Sequence, residues 1–171
     1  IVDEAQNLSG GALEDLRMLT NINADKDQLL QIILVGQPQL LDSLSRPELA
    51  QIAQRVSVEY HLEPLGLVDV IRYVQHRLET AGGDKDTFDM DAIWAIYYFS
   101  GGVPRLVNIL CDYALVHAYA EGKHMVDLET ALSVKQGRKI GGINRFVTNV
   151  DAVEYVRQSV LRSAGVDLAE V

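Results

Sequence analysis

The sequence predicts an α/β protein, a parallel sheet over residues 1–64 followed by an all-helical bundle over residues 65–139. Three observations lead there. Leu29-Leu30-Gln31-Ile32-Ile33-Leu34-Val35 is an apolar, β-branched run closed by Gly36, the pattern of a strand buried on both faces. Val56, Val58, Tyr60 and Leu62 alternate with Ser57, Glu59 and His61, the period-two pattern of a further strand. After Pro64 only helical periodicity remains.

The elements follow in order. Ile1-Val2 followed at once by Asp3-Glu4 has the character of a buried strand end, and is expected to continue a strand that begins upstream. Leu13, Leu16 and Leu19, with Ala12, recur at helical spacing, and the polar cluster Asn23–Asp27 ends that helix. Pro38 precedes a short helix, and Pro47 suits the first turn of another. Strand, helix, strand, helix, strand is the order of a parallel sheet.

Beyond Pro64, Leu67, Val70, Ile71, Val74 and Leu78 form one apolar stripe that Gly82-Gly83 terminates. Asp89 is the N-cap of a helix carrying Ile93, Ile96 and Tyr97, which stops at Ser100-Gly101-Gly102. Pro104 opens a very apolar helix to Tyr119, and Asp127 caps a fourth to about Lys139. Residues 140–171 form a tail with a Gly141-Gly142 hinge and one amphipathic helix near Val153–Leu161, and no role is assigned to it.

Composition excludes several function classes. The chain has 171 residues, 48% of them hydrophobic and 23% charged, with 15 basic and 24 acidic residues for a net charge of −9. Such a chain buries a real core and is neither globally disordered nor membrane-like. The acidic balance argues against nucleic-acid binding by charge, and Arg138-Lys139 with Arg145 is the one candidate basic patch. No apolar stretch approaches the roughly 20 residues of a membrane helix. Cys111 is the sole cysteine, which removes disulfides and thiolate zinc sites, and His61, His76, His117 and His124 have no metal-ligand spacing. A reducing, cytosolic setting fits this usage.

Four polar positions at the joints carry the chemistry. Asp3 and Glu4 end a strand where open α/β sheets place ligands; adjacent carboxylates there can divide the work of holding Mg²⁺ and orienting a water, or be a plain solvated acid pair. Gln37, after Gly36, puts an amide at the neighbouring strand end, within reach of a phosphate or a water, although Gly-X-Pro is also a common turn. Arg55 stands just before the last strand, either as a helix C-terminal partner or as a functional cation. Arg105 follows Gly101-Gly102-Val103-Pro104 in the first turn of a helix, where the dipole disfavours a cation and an anionic partner, carboxylate or phosphate, is implied.

Taken together, Val2-Asp3-Glu4-Ala5-Gln6-Asn7-Leu8, Leu34-Val35-Gly36-Gln37-Pro38-Gln39-Leu40, Gln54-Arg55-Val56 and Ser100-Gly101-Gly102-Val103-Pro104-Arg105-Leu106-Val107-Asn108 resemble the general secretion pathway A-type, or ExeA-like, AAA+ ATPases, over residues 1–139. The resemblance implies a partial P-loop NTPase sheet from the Walker B strand onward, followed by a helical lid. It implies ATP and Mg²⁺ as cofactors, Asp3 as the metal carboxylate and Glu4 as the water-activating base. It also implies Gln37 and Arg105 as the first and second sensors, both on the nucleotide, and Arg55 as an arginine finger reaching a neighbouring subunit of a homo-oligomer. An inner-membrane secretion or envelope-assembly partner, and a cytoplasmic place at the inner membrane of a bacterium, come with it.

One departure stands out. No Gly-x-x-x-x-Gly-Lys-Ser/Thr loop occurs, since Gly10-Gly11 lacks the lysine and Gly82-Gly83 lies between helices. The chain alone is therefore expected not to hydrolyse ATP, and to expose sheet edge or apolar surface. Two other readings stand beside this one. The first is a DNA-handling AAA+ ATPase of the transposition or replication-initiator kind, which the acidic charge and the want of a basic winged domain oppose. The second is an interaction module with vestigial sites.

Overall fold

Several helix starts among the described residues are set by side chains that satisfy exposed backbone N–H groups, and others by proline. The Ser9 hydroxyl accepts from the Ala12 N–H at 3.2 Å and caps α1, Gly10–Leu19. Pro38 precedes α2, Gln39–Leu44, and Pro47 opens a 3-10 turn, Pro47–Leu49, that runs into α3, Ala50–Ala53. The computed structural model describes residues 1–20, 23–24, 27–28, 30–137 and 149–171. It divides into two compact units, Ile1–His61 and Leu62–Val171.

In the first unit Leu13, Leu49 and Ile52 make a small buried cluster, with Leu8, Leu34 and Leu44 packed on it. This gathers α1, the Pro47 turn and α3 around one apolar centre. At roughly 1.5–3 kcal/mol for each large apolar side chain fully buried, three such residues give this unit a modest core.

The expected parallel sheet is absent among the described residues. The β structure of the described residues consists of a two-residue antiparallel ladder, β1 (Asn23–Ala24) with β2 (Asp27–Gln28), and isolated parallel bridges at Val2–Leu34 and Phe88–Val126. The α/β reading is thus corrected to a mainly helical fold. The run ending at Val35 is not buried on both faces, because Leu30, Ile33 and Val35 are exposed. The alternating segment fares worse. Val58, Tyr60 and Leu62 are 83%, 83% and 81% exposed, and residues 57–64 make no backbone hydrogen bond to a described residue.

The physical reason is that helices and strands close their backbone bonds differently. A helix satisfies its N–H groups four residues away, whereas a strand needs a second chain segment at each edge. Side-chain alternation records which faces a segment prefers, not whether a partner lies beside it.

Among the described residues the second unit is a bundle of five helices. Val70 and Val74 form the buried stripe of α4, Leu67–Thr80, with Leu67, Ile71 and Leu78 packed beside them. Gly83 N–H bonds back to Leu78 C=O at 2.9 Å to close that helix, with Gly82 in the left-handed region. Asp89 caps α5, Met90–Ser100, accepting from Ala92 N–H at 2.6 Å. Residues 92–100 of α5 are buried almost throughout, with only Trp94 partly so, and this makes α5 the axis against which α6 (Pro104–Ala120), α7 (Leu128–Gly137) and α8 (Val150–Ala164) pack. A helix apolar all round belongs at such a centre.

Two backbone bonds tie the lead-ins of α5 and α7 together, Val126 N–H to Thr87 C=O at 2.7 Å and Asp89 N–H to Val126 C=O at 3.0 Å. Asp127 then caps α7, accepting from the Thr130 N–H at 2.9 Å and its hydroxyl at 2.7 Å. Lys123 adds ion pairs to Glu121 and Asp127, each at 3.0 Å.

The tail proves to be part of the bundle where it is described. Val153, Val156 and Val160 of α8, and Leu168 after it, lie in the same core as Ile93 and Tyr97. The Asn149 side chain caps α8 at 3.0 Å. The Gly141-Gly142 hinge and the Arg138, Lys139 and Arg145 patch lie outside the described residues, as does Leu29. No helix among the described residues is long and apolar enough to cross a membrane.

Candidate functional site

Three backbone bonds bring the two segments of the Val2–Leu34 bridge side by side: Val2 N–H to Ile33 C=O at 2.9 Å, Val35 N–H to Val2 C=O at 2.8 Å, and Ala5 N–H to Val35 C=O at 2.9 Å. Because the segments run in the same direction, their C-terminal ends coincide. Asp3 and Glu4 leave one end, Gly36 and Gln37 the other.

Glu4 is the only non-glycine among the described residues with positive φ, at φ 53° and ψ 35°. A left-handed conformation at such a residue costs on the order of 1–2 kcal/mol. Local bonds hold it there. Its N–H donates to Asp3 Oδ1 at 2.8 Å, its C=O accepts from Asn7 N–H at 2.9 Å, and Ala5, fully buried, anchors the 3-10 turn Ala5–Asn7 that follows.

Gln6 completes the arrangement. Its Nε2 donates to Glu4 Oε2 at 2.5 Å, and its Oε1 accepts from the Gln37 N–H at 3.0 Å. The amide orientation is dictated by its partners, since a carboxylate only accepts and a backbone N–H only donates. Gly36 makes room for it: a Cβ there would stand 2.7 Å from Gln6 Oε1 and 3.2 Å from Gln6 N. Asp3, Glu4 and Gln37 are exposed, so their outer atoms face solvent.

Arg55 belongs to the same unit but not to this group. Its Nη1 donates to Thr20 Oγ1 at 2.8 Å, and Thr20 Oγ1 donates to Arg17 C=O at 2.7 Å at the end of α1. A cation there is favoured by the C-terminal dipole of α1. Arg105 lies in the second unit, one residue after Pro104 in the first turn of α6, exposed and without a hydrogen bond or ion pair to any described residue. The corner before it is tightly built. Gly102 has φ 77°, its C=O accepts from Leu65 N–H at 2.9 Å, and a Cβ there would come within 2.0 Å of Leu65 O. Buried Ser100 accepts from Gly102 N–H at 3.2 Å.

Sequence reasoning gave Gln6 no role. The available signal was a side chain with both donor and acceptor, two residues past an acid and beside a glycine-closed segment; the contact itself spans 31 residues of sequence. No group of three or more His, Cys, Asp or Glu side chains among the described residues could hold a metal by itself.

Comparison with known proteins bears on what this arrangement is. A family profile described as an AAA domain matches residues 1–44, which contain Asp3, Glu4, Gln6 and Gln37. A curated relative, General secretion pathway protein A of Aeromonas hydrophila, is 48% identical over 126 residues, 74% of this chain. Over those residues the chain belongs to the general secretion pathway A-type AAA+ family. It spans 23% of that relative's length. Of the positions singled out from the sequence, Asp3, Glu4, Gln37 and Arg55 lie in the first unit and Arg105 in the second.

Proposed function

We propose that this chain supplies the magnesium carboxylate, the water-activating base, the sensors and the arginine finger of an oligomeric AAA+ ATPase that energises a bacterial secretion or envelope-assembly system. The observation that carries the reading is the corner at Asp3 and Glu4, where adjacent exposed carboxylates flank a left-handed backbone position and the second is tied through Gln6 to the segment bearing Gln37. The likeness to General secretion pathway protein A supports the physiological setting.

The residues present fit a nucleotide with Mg²⁺. Asp3 has one carboxylate oxygen engaged by Glu4 N–H and its other oxygen without a described partner. One carboxylate suits Mg²⁺, which keeps several waters and takes phosphate oxygens for the rest of its shell. Bound Mg²⁺ would neutralise charge developing on the transferred phosphoryl group. Asp3 would hold it; Glu4 would orient the attacking water and accept its proton. Gln37, exposed at the adjoining segment end, would hydrogen-bond the terminal phosphate or that water. Arg105 would meet the nucleotide as the second sensor. Arg55 would act on nucleotide bound to a neighbouring subunit, which makes turnover depend on assembly.

A phosphate-binding loop is required as well, and none lies within residues 1–171. The proposal is thus that the 171-residue chain alone does not turn ATP over, while the full-length protein does so as a homo-oligomer, in the cytoplasm at the inner membrane. The net charge of −9 favours a protein partner over nucleic acid. The test is the ATPase rate per subunit of the full-length protein across protein concentration. A rate that climbs with concentration, and does so in the wild type but not in Arg55→Ala, supports the reading. A rate independent of concentration and indifferent to Arg55→Ala refutes the assembled-site account.

A further inference from the structure

We infer that Gln6 is a positioning residue that sets the Glu4 carboxylate and couples it to the backbone at Gln37, so that base and sensor segment move as one. The inference rests on the ATPase reading above and adds a residue to it.

Glu4 emerges from a left-handed turn, with a side chain exposed to water and several rotamers open to it. An exposed glutamate loses orientation unless something holds it, and a base out of place by about 1 Å can lower a rate by roughly a hundredfold. Among the described residues the Glu4 carboxylate has one hydrogen-bond partner, Gln6 Nε2 on Oε2 at 2.5 Å. That bond leaves Oε1 to take a bond from a water. Gln6 is neutral, so it orients the carboxylate and takes no proton itself.

The other end of the same amide reads a different segment. Gln6 Oε1 accepts from Gln37 N–H at 3.0 Å, and Gln37 C=O accepts from Leu40 N–H at 2.9 Å as α2 begins. A displacement of Gln37 by a bound phosphate therefore pulls on Gln6 and, through it, on Glu4. A purely local turn former would need only one of these bonds. The absent side chain at Gly36 is the second sign of a built contact: the Gln6 amide occupies the space that any Cβ would take, 2.7 Å from its oxygen.

The closest atom that Gly36→Ala would meet is the far end of the flexible Gln6 side chain at 2.7 Å, with Gln6 N and the buried Leu40 Cδ2 each at 3.2 Å, so the variant's melting transition is measured beside its kinetics. It perturbs the contact while keeping the Gln6 side chain, and an unchanged melting transition separates that effect from any shift of Leu40.

The test uses single-turnover and steady-state ATP hydrolysis by the full-length protein. Gln6→Ala and Gly36→Ala are each expected to lower kcat by about tenfold or more, with KM for ATP changed by less than about twofold. In a Glu4→Gln background neither is expected to lower single-turnover hydrolysis further, since a residue acting through Glu4 has nothing left to position. The inference is overturned if Gln6→Ala keeps wild-type kcat, or if its full loss persists in the Glu4→Gln background, or if KM and kcat fail together with a collapse of the melting transition. If Glu4→Gln itself keeps wild-type turnover, the ATPase assignment of the corner fails and takes this inference with it, a result distinct from failure of Gln6 alone.

Discussion

Arg157 and Asp167 meet as a fork on a fork: Nε lies 2.6 Å from Oδ1 and Nη2 lies 2.6 Å from Oδ2. The pair joins α8 to the turn after it and sits beside Leu168, which is 2% exposed in the bundle core. Paired hydrogen bonds of this kind fix orientation as well as adding attraction. Asp167→Ala is expected to lower the thermal midpoint and to raise amide exchange at Val160 and Leu168 ahead of the α5 amides. Equal protection of all these amides in variant and wild type would contradict that.

Burial makes a companion prediction. Leu168→Ala is expected to cost about 2–5 kcal/mol in denaturant unfolding, the range for a large core aliphatic. Val156→Ala, fully buried on the facing side of α8, is expected to destabilise in the same single transition. A separate low-denaturant step for α8 would show that the C-terminal segment is not part of the cooperative unit.

Much of the second unit was legible because its signals are local. Asp89 and Pro104 mark helix starts that require only the next few residues, and both α5 and α6 begin where these residues place them. The alternation of Val58, Tyr60 and Leu62 is as regular as any helix pattern, yet its meaning depends on neighbours that sequence spacing does not report. The place of Asp3, Glu4 and Gln37 at segment ends was legible. Gln6 was not, because its role comes from bridging residues 4 and 37, a relation set by the backbone pairing of Val2 with Leu34. The closing of the bundle by Arg157 and Asp167 was hidden for the same reason.

Acid should weaken the second unit through two carboxylates. Bonds from Thr130 hold the Asp127 carboxyl down to about 2, and the Arg157 guanidinium does the same for Asp167. Both folded values lie below the ordinary 3.8, so the stabilisation is fully present above about pH 4 and is lost as pH falls toward 2. Melts from pH 5 to pH 2 should show a falling midpoint, and Asp127→Asn with Asp167→Asn together should flatten that slope. An unchanged slope in the double variant would contradict the assignment.

Cys111 offers a chemical probe of α6. Burial is the main cause that pushes its thiol up to about 12, with Asp112 adding to the rise. Since the thiolate is the reactive form, a disulfide reagent at neutral pH should label it slowly in the folded protein and quickly in denaturant. Fast labelling of native protein would mean that α6 opens readily.

Gly102→Ala tests the corner that presents Arg105. With φ at 77° and Leu65 O only 2.0 Å from the new Cβ, the substitution is expected to destabilise by more than about 1–3 kcal/mol. A variant as stable as wild type would show that the Leu65 backbone yields at this point.

Glu4→Gln in the full-length protein, measured for nucleotide affinity and turnover together, decides whether the Asp3–Glu4 corner hydrolyses ATP as proposed. ATP is expected still to bind within about threefold of wild type while turnover falls by about a hundredfold or more. Turnover that stays within about twofold of wild type would contradict it, and would return Asp3 and Glu4 to an ordinary pair of solvated acids.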